Sequence, residues 1–287
     1  MKASLLCILL WLCATSSFAS ELSALWEVNG FKMPESVVYD ADHQRFYVSN
    51  INDNPLGQDG NGSIGWISAD GYQSETEWVT GLHSPKGMLL HQGYLYVCDV
   101  KQLVVINVAQ GTVTARYEAP SSVVLNGIAI SRFGEIYVSD WLGNSIYTLN
   151  QRELTLWLHS DALEHPNGLY VRHGHLYVGA WGNGIQADFS TEESGSLKRI
   201  SLRSKQIQTL SHDEQWMNLD GLHPLPRGQW LATDFVSGQL LRLNHQGNIV
   251  EQQTLEVTAA DFYYNHKQKL LVVPFIGSNK VVAYRLD

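Results

Sequence analysis

Six polar residues recur along this chain, each at the same place in a short repeated motif. They are Glu35, Lys86, Asn126, Asn167, Asp220 and Asp261. Their settings are Met33-Pro34-Glu35-Ser36, Ser84-Pro85-Lys86-Gly87, Val124-Leu125-Asn126-Gly127, His165-Pro166-Asn167-Gly168, Asn218-Leu219-Asp220-Gly221 and Ala259-Ala260-Asp261-Phe262. Gathered at one axis, the three carboxylates would repel one another, and burial would make each charge costly. A hard divalent cation removes that conflict. Calcium takes roughly six to eight oxygens from carboxylates, amide carbonyls and water, and Glu35, Asn126, Asn167 and Asp220 offer four. Three negative charges and Lys86 leave a formal −2, which a divalent ion neutralises. The set holds no His or Cys, which argues against zinc or copper. A competing reading exists, because Asn-Gly and Asp-Gly are common turn dipeptides. It does not reach Glu35 or Asp261, which no glycine follows.

The elements around these residues predict how they are positioned. Each motif opens a short apolar strand, and a second strand ends 13 to 15 residues later. Those second strands run Phe46 to Asn50, Leu95 to Asp99, Ile136 to Asp140, Leu176 to Ala180, Trp230 to Asp234 and Leu270 to Pro274, rich in aromatic and β-branched residues. Third strands follow, such as Ser145 to Leu149, Leu197 to Ser201 and Gln239 to Leu243, and a fourth such as Glu153 to Trp157. Successive motif residues lie 51, 40, 41, 53 and 41 apart, the length of a four-stranded propeller blade. No window carries a 3.6-residue apolar stripe. The chain is therefore expected to be an all-β, six-bladed propeller of four-stranded blades. Lys280 to Tyr284 reads as a third strand, and Ala24 to Val28 as the fourth strand that closes the ring and removes an open edge. First strands line a propeller's channel, so the six motif residues are expected at one height around one mouth.

The chain has 287 residues, 44% of them hydrophobic and 16% charged, with a formal charge of −9. This is a globular composition without a basic surface for nucleic acid or anionic lipid. Lys2, the apolar run Leu5 to Ala14 and the small residues of Ser17-Phe18-Ala19 predict a cleavable leader over residues 1–19, ahead of a single domain over 20–287. A periplasmic or secreted, monomeric protein is expected, with no membrane span after cleavage. Cys7 and Cys13 leave with the leader, so Cys98 is alone in the mature chain and reads as a small buried strand residue.

Loops leaving the second strands rise on the same face as the motif residues. Ile51, Val100, Trp141, Trp181, Phe235 and Phe275 follow those strands. The aromatics Trp141, Trp181, Phe235 and Phe275 are expected to rim a pocket for an apolar or ring-shaped ligand, or else to pack between blades. The loops 52–62 and 182–195 read as pocket walls or lids. His83, His165 and His223 could relay protons or be plain loop residues. Lys86 could anchor an anionic substrate or the leaving oxygen, or pair with Asp261 or Asp220.

The stretches Glu35-Ser-Val-Val-Tyr-Asp40, Asn126-Gly-Ile-Ala-Ile130, Pro166-Asn-Gly-Leu169 and Leu219-Asp-Gly-Leu222 resemble, blade by blade, the gluconolactonase and regucalcin family. The resemblance spans the mature chain. It implies a calcium or similar ion held by Glu35, Asn126, Asn167 and Asp220. It further implies metal-dependent hydrolysis of a lactone or related ester, with Asp220 as general base. Asp261, a channel carboxylate outside the metal set, is the second candidate for that base. The chain departs from the family pattern at Ser36-Val37-Val38, where Gly-Pro and an aromatic are usual. It departs again at Asn126-Gly127, and it lacks a match to the basic residues that grip sugar lactones. The alternative is a non-catalytic propeller that binds a ligand or partner and keeps the ion as a staple.

Overall fold

The computed structural model describes residues 22–210 and 217–286; the expected leader over residues 1–19 lies outside them. Six four-stranded antiparallel sheets follow one another in chain order. Their first and second strands are Pro34–Asp40 and Arg45–Asn50 in blade one, Pro85–His91 and Tyr94–Asp99 in blade two, and Leu125–Ile130 and Ile136–Asp140 in blade three. Blade four has Pro166–Arg172 and His175–Ala180, blade five Leu219–Pro224 and Trp230–Asp234, and blade six Tyr263–Asn265 and Leu270–Phe275. Two short 3-10 turns, Asp161–Leu163 and Pro226–Gly228, are the helical elements among the described residues.

The ring closes as expected. Leu22–Asn29 pairs antiparallel with Lys280–Leu286, from Leu22 opposite Leu286 to Asn29 opposite Lys280. The strand at the start of the described chain is thus the fourth strand of the last blade.

Both faces of the inner strands are covered, so Arg45–Asn50 and Gln102–Asn107 are buried almost throughout, while outer strands such as Thr112–Glu118 alternate between exposed and half-buried. Apolar side chains from neighbouring blades meet in the gaps between sheets. Tyr47 and Ile64 of blade one pack with Leu95, Val97 and Val104 of blade two. Phe46 and Val48 pack on the other side with Val272, Val281 and Ala283, across the closing joint.

Near the axis the joints are backbone-tight. Gly87, Gly127, Gly168 and Gly221 sit within first strands and do not have positive φ. A Cβ on Gly127 would lie 2.2 Å from the Asn167 carbonyl oxygen, and one on Gly168 would lie 2.1 Å from that of Asp220. The glycines of the Asn-Gly and Asp-Gly pairs therefore let the next blade's backbone approach, which replaces the turn reading. Second-strand hydroxyls lace the same joints. Ser139 Oγ accepts from the Gly127 amide at 2.7 Å and donates to the Asn167 carbonyl at 2.8 Å. Thr233 Oγ1 accepts from the Gly221 amide and donates to the Ala260 carbonyl at 3.0 Å.

Candidate functional site

The first strands bring Glu35, Lys86, Asn126, Asn167 and Asp220 to the floor of one chamber at the channel mouth. Each is at least 95% buried. A carboxylate in blade two's second-strand terminus fixes the approach: Asp99 accepts from the backbone amides of His83 and Ser84, just ahead of Lys86. Asp140 does the same for Val123 and Val124, just ahead of Asn126. These aspartates cap the connection that leads into the first strand of their own blade. They were visible in the sequence as the last residues of the second strands, and their spacing to the motif is the signal that could have found them.

Blade six corrects two expectations together. Ala259 bridges Phe275 as Pro34 pairs with Asn50 and Pro85 with Asp99. The carbonyl that receives the Thr233 hydroxyl belongs to Ala260, as that receiving Ser139 belongs to Asn167. Ala260 thus holds the floor position, and Asp261 stands where the other blades carry Gly or Ser36. A one-residue step along a strand turns every side chain to the opposite side. Asp261 therefore leaves the chamber and lines a separate cavity of about 310 Å3 beneath the floor, with His223, Phe262 and Tyr263. Its Oδ2 accepts from Ser36 Oγ at 2.8 Å. By the same shift Phe275 ends the second strand instead of following it. It is fully buried against Leu231, Leu240 and Leu271, and Ile276 takes its place in the chamber wall.

The walls are apolar: Met33, Ile51, Pro55, Trp141, Trp181, Phe189, Phe235 and Ile276. Trp141, Trp181 and Phe235 stand where expected, with Trp141 and Trp181 rings 5.1 Å apart. Both long loops reach the chamber, one through Pro55 and the other through Phe189, whose carbonyl accepts from Trp181 Nε1 at 2.9 Å. The chamber is open on one side and its volume is about 60 Å3, room for roughly four or five water-sized occupants.

The floor is electrostatically strained. Burial pushes the Glu35 carboxyl well above the usual range, and the charges of Asp220 and Asp261 push it further, while Lys86 opposes. Asp220 is raised by burial and by Asp261. Asp261 is raised to about 6 by burial against the pull of the Ser36 hydroxyl. Burial lowers Lys86 to about 8, with Glu35 acting the other way. Lys86 makes no ion pair with Asp220 or Asp261, as one reading had it. Its Nζ donates to the Pro55 carbonyl at 2.6 Å, to Ser84 Oγ at 2.7 Å and to the Ser84 carbonyl at 3.0 Å. All three ammonium protons are engaged, and the loop 52–62 is tethered to the floor.

Glu35 Oε2 and Asp220 Oδ1 are buried with no hydrogen-bond partner. Buried carboxylate oxygens are almost always satisfied, and an orphan pair in one cavity calls for an ion or a proton. Hard oxygen donors, two carboxylates and two carboxamides, suit calcium. Among the described residues no three His, Cys, Asp or Glu side chains cluster by themselves, so the amides of Asn126 and Asn167 complete any such set. The three histidines lie elsewhere. His83 and His165 sit on connecting loops, where His165 Nδ1 lies 3.1 Å from the Trp141 carbonyl oxygen, and His223 faces the lower cavity.

Comparison with solved structures places this geometry among propellers of known architecture. A virginiamycin B lyase from Staphylococcus aureus aligns with 93% of this chain and 100% of its own, at 11% identity and a TM-score of 0.63. A gluconolactonase from Xanthomonas campestris aligns with 93% of this chain and 90% of its own, at 15% identity and a TM-score of 0.70. The chain shares their fold. No family model and no curated protein matches its sequence.

Proposed function

We propose that this chain is an exported hydrolase of a lactone or related ester that works with a divalent ion, calcium by its donor set, held by Glu35, Asn126, Asn167 and Asp220. The observation that carries the reading is the pair of partnerless buried carboxyl oxygens, Glu35 Oε2 and Asp220 Oδ1, on the floor of an apolar chamber. When bound, such an ion polarises a carbonyl oxygen and acidifies water. The chain's own residues do the rest. The two carboxamides complete the floor, and Asp220, held as a carboxylate by the adjacent positive charge of such an ion, would accept a proton in the chamber. Trp141, Trp181, Phe189 and Phe235 exclude bulk water, which strengthens every polar interaction within. Lys86 holds a positive charge near Glu35 and keeps the Pro55 wall in place. The name of the Xanthomonas neighbour supports lactone chemistry, and the lyase shows that one fold serves a second reaction class.

The test is calorimetric titration of calcium into the metal-stripped mature protein, followed by a panel of lactones and aryl esters. One-site binding with calcium-dependent turnover is expected. Binding without turnover would leave a metal-stapled binding propeller, and no binding would remove the ion from the site. Export is checked separately, by N-terminal sequencing of the protein from the cell exterior, with a start at Ser20 expected.

A further inference from the structure

The chamber's walls carry information about the substrate that the floor does not. If the floor's carboxylates and carboxamides serve an ion, and Lys86 has spent its three donors on Pro55 and Ser84, few polar groups remain for a ligand. Eight of the lining residues are apolar. One wall donor is left over: the indole of Trp141 is 95% buried, and its Nε1 has no acceptor. The neighbouring Trp181 Nε1, by contrast, is satisfied by Phe189. Among the exposed side chains close along the chain to this region, three are apolar, interspersed with the polar Lys32, Asn54 and Asp188. Leu56 follows Pro55 and is 48% exposed, and Val123 precedes Val124 of the Trp141 cluster and is also 48% exposed. Val257 precedes Thr258, which is bonded to both Phe235 and Ile276, and is 56% exposed.

Resting on the hydrolase reading, we infer that the substrate is a compact lactone or ester, apolar apart from its ester group, and that Trp141 Nε1 donates to an ester oxygen. A polyhydroxylated lactone would bury hydroxyls with nothing to receive them. Each unpaired hydroxyl costs about tenfold in affinity; an apolar pocket rejects one added hydroxyl only about as firmly as a missing methylene, so the discrimination comes from several hydroxyls on one ring. The empty space over the floor, about 440 Å3 with its open mouth, admits the reacting ring and leaves an alkyl or aryl substituent against the apolar walls. Hydrolysis adds the hydroxyl of water to the carbonyl carbon and breaks the acyl C–O bond, and the proton of that water ends on the departing ring oxygen.

The experiment compares an alkyl-substituted six-membered lactone with a polyhydroxylated one of the same ring size, with calcium present, in wild-type protein and in Trp141→Phe. Direct binding of both lactones is measured by calorimetry. The alkyl lactone is expected to show a kcat/KM at least 100-fold higher. Trp141→Phe should lower that value about tenfold through kcat, with calcium affinity unchanged. Equal turnover, or preference for the hydroxylated lactone, would overturn the inference and leave the hydrolase reading intact. Selective binding of the alkyl lactone without turnover would uphold the apolar pocket and remove the hydrolase reading. Failure of the alkyl lactone to bind would overturn the inference, whatever Trp141→Phe does to folding.

Discussion

At the residue scale, the two partnerless carboxyl oxygens decide most of what can be measured. Glu35→Gln should weaken calcium binding about tenfold or more, since ligand charge sets affinity in such sites. Asp220→Asn should also abolish turnover, whereas Asp261→Asn, outside the chamber, should leave calcium-dependent turnover within a few-fold; paired calorimetry and kinetics read both. A pH prediction follows from the directions of the shifts. Glu35, Asp220 and Asp261 bind protons more tightly folded than unfolded. Their contribution to stability is complete below the unfolded aspartate value of 3.8 and is lost as pH rises through about 6 and beyond. In chelator, the melting temperature should therefore fall between about pH 5 and pH 8, and saturating calcium should remove that fall. A flat profile in chelator would show that the floor carboxyls are not strained.

At the element scale, the first strands owe their close packing to four glycines. Gly127→Ala or Gly168→Ala forces a methyl into the next blade's carbonyl and should cost about 3 kcal/mol, a drop of roughly 6–12 °C in melting temperature for a chain of this size. Gly93→Ala, with open space around it, isolates the backbone-strain contribution because its φ is +77°. The same strands show what the sequence could reveal. Five of six floor positions were legible because Pro or Leu precedes them and Gly or Ser follows, a pattern imposed by the axial joint itself. Blade six breaks that pattern: Ala259-Ala260-Asp261 has no glycine, and its only polar residue drew the eye one place too far. Strand alternation has a period of two and carries no absolute register, so only the pairing of Ala259 with Phe275 could settle it. Phe275 and Asp261 went astray together for that single reason. Phe189 lay beyond the sequence signal altogether, since a long loop's fold depends on contacts such as its carbonyl with Trp181.

At the scale of the whole molecule, the blade count and the closing strand were readable because repetition is a property of the chain, and the strand missing from one end appeared at the other. Calcium at 100 times its dissociation constant should stabilise the whole ring by about 2.7 kcal/mol, seen as a rise in melting temperature that chelator reverses. Removal of residues 22–29 should expose the edge of Lys280–Leu286 and produce aggregation on heating, followed by light scattering. The closing pair has a consequence in time as well as in space. Leu22 must find Leu286, so the strand that leaves the ribosome among the first is the last to gain its partner. Blades one to five can each form from neighbouring segments, but the sixth waits for the whole chain. Contacts of such long separation are slow, so the joint between Leu22–Asn29 and Lys280–Leu286 is expected to be the last of the ring to form.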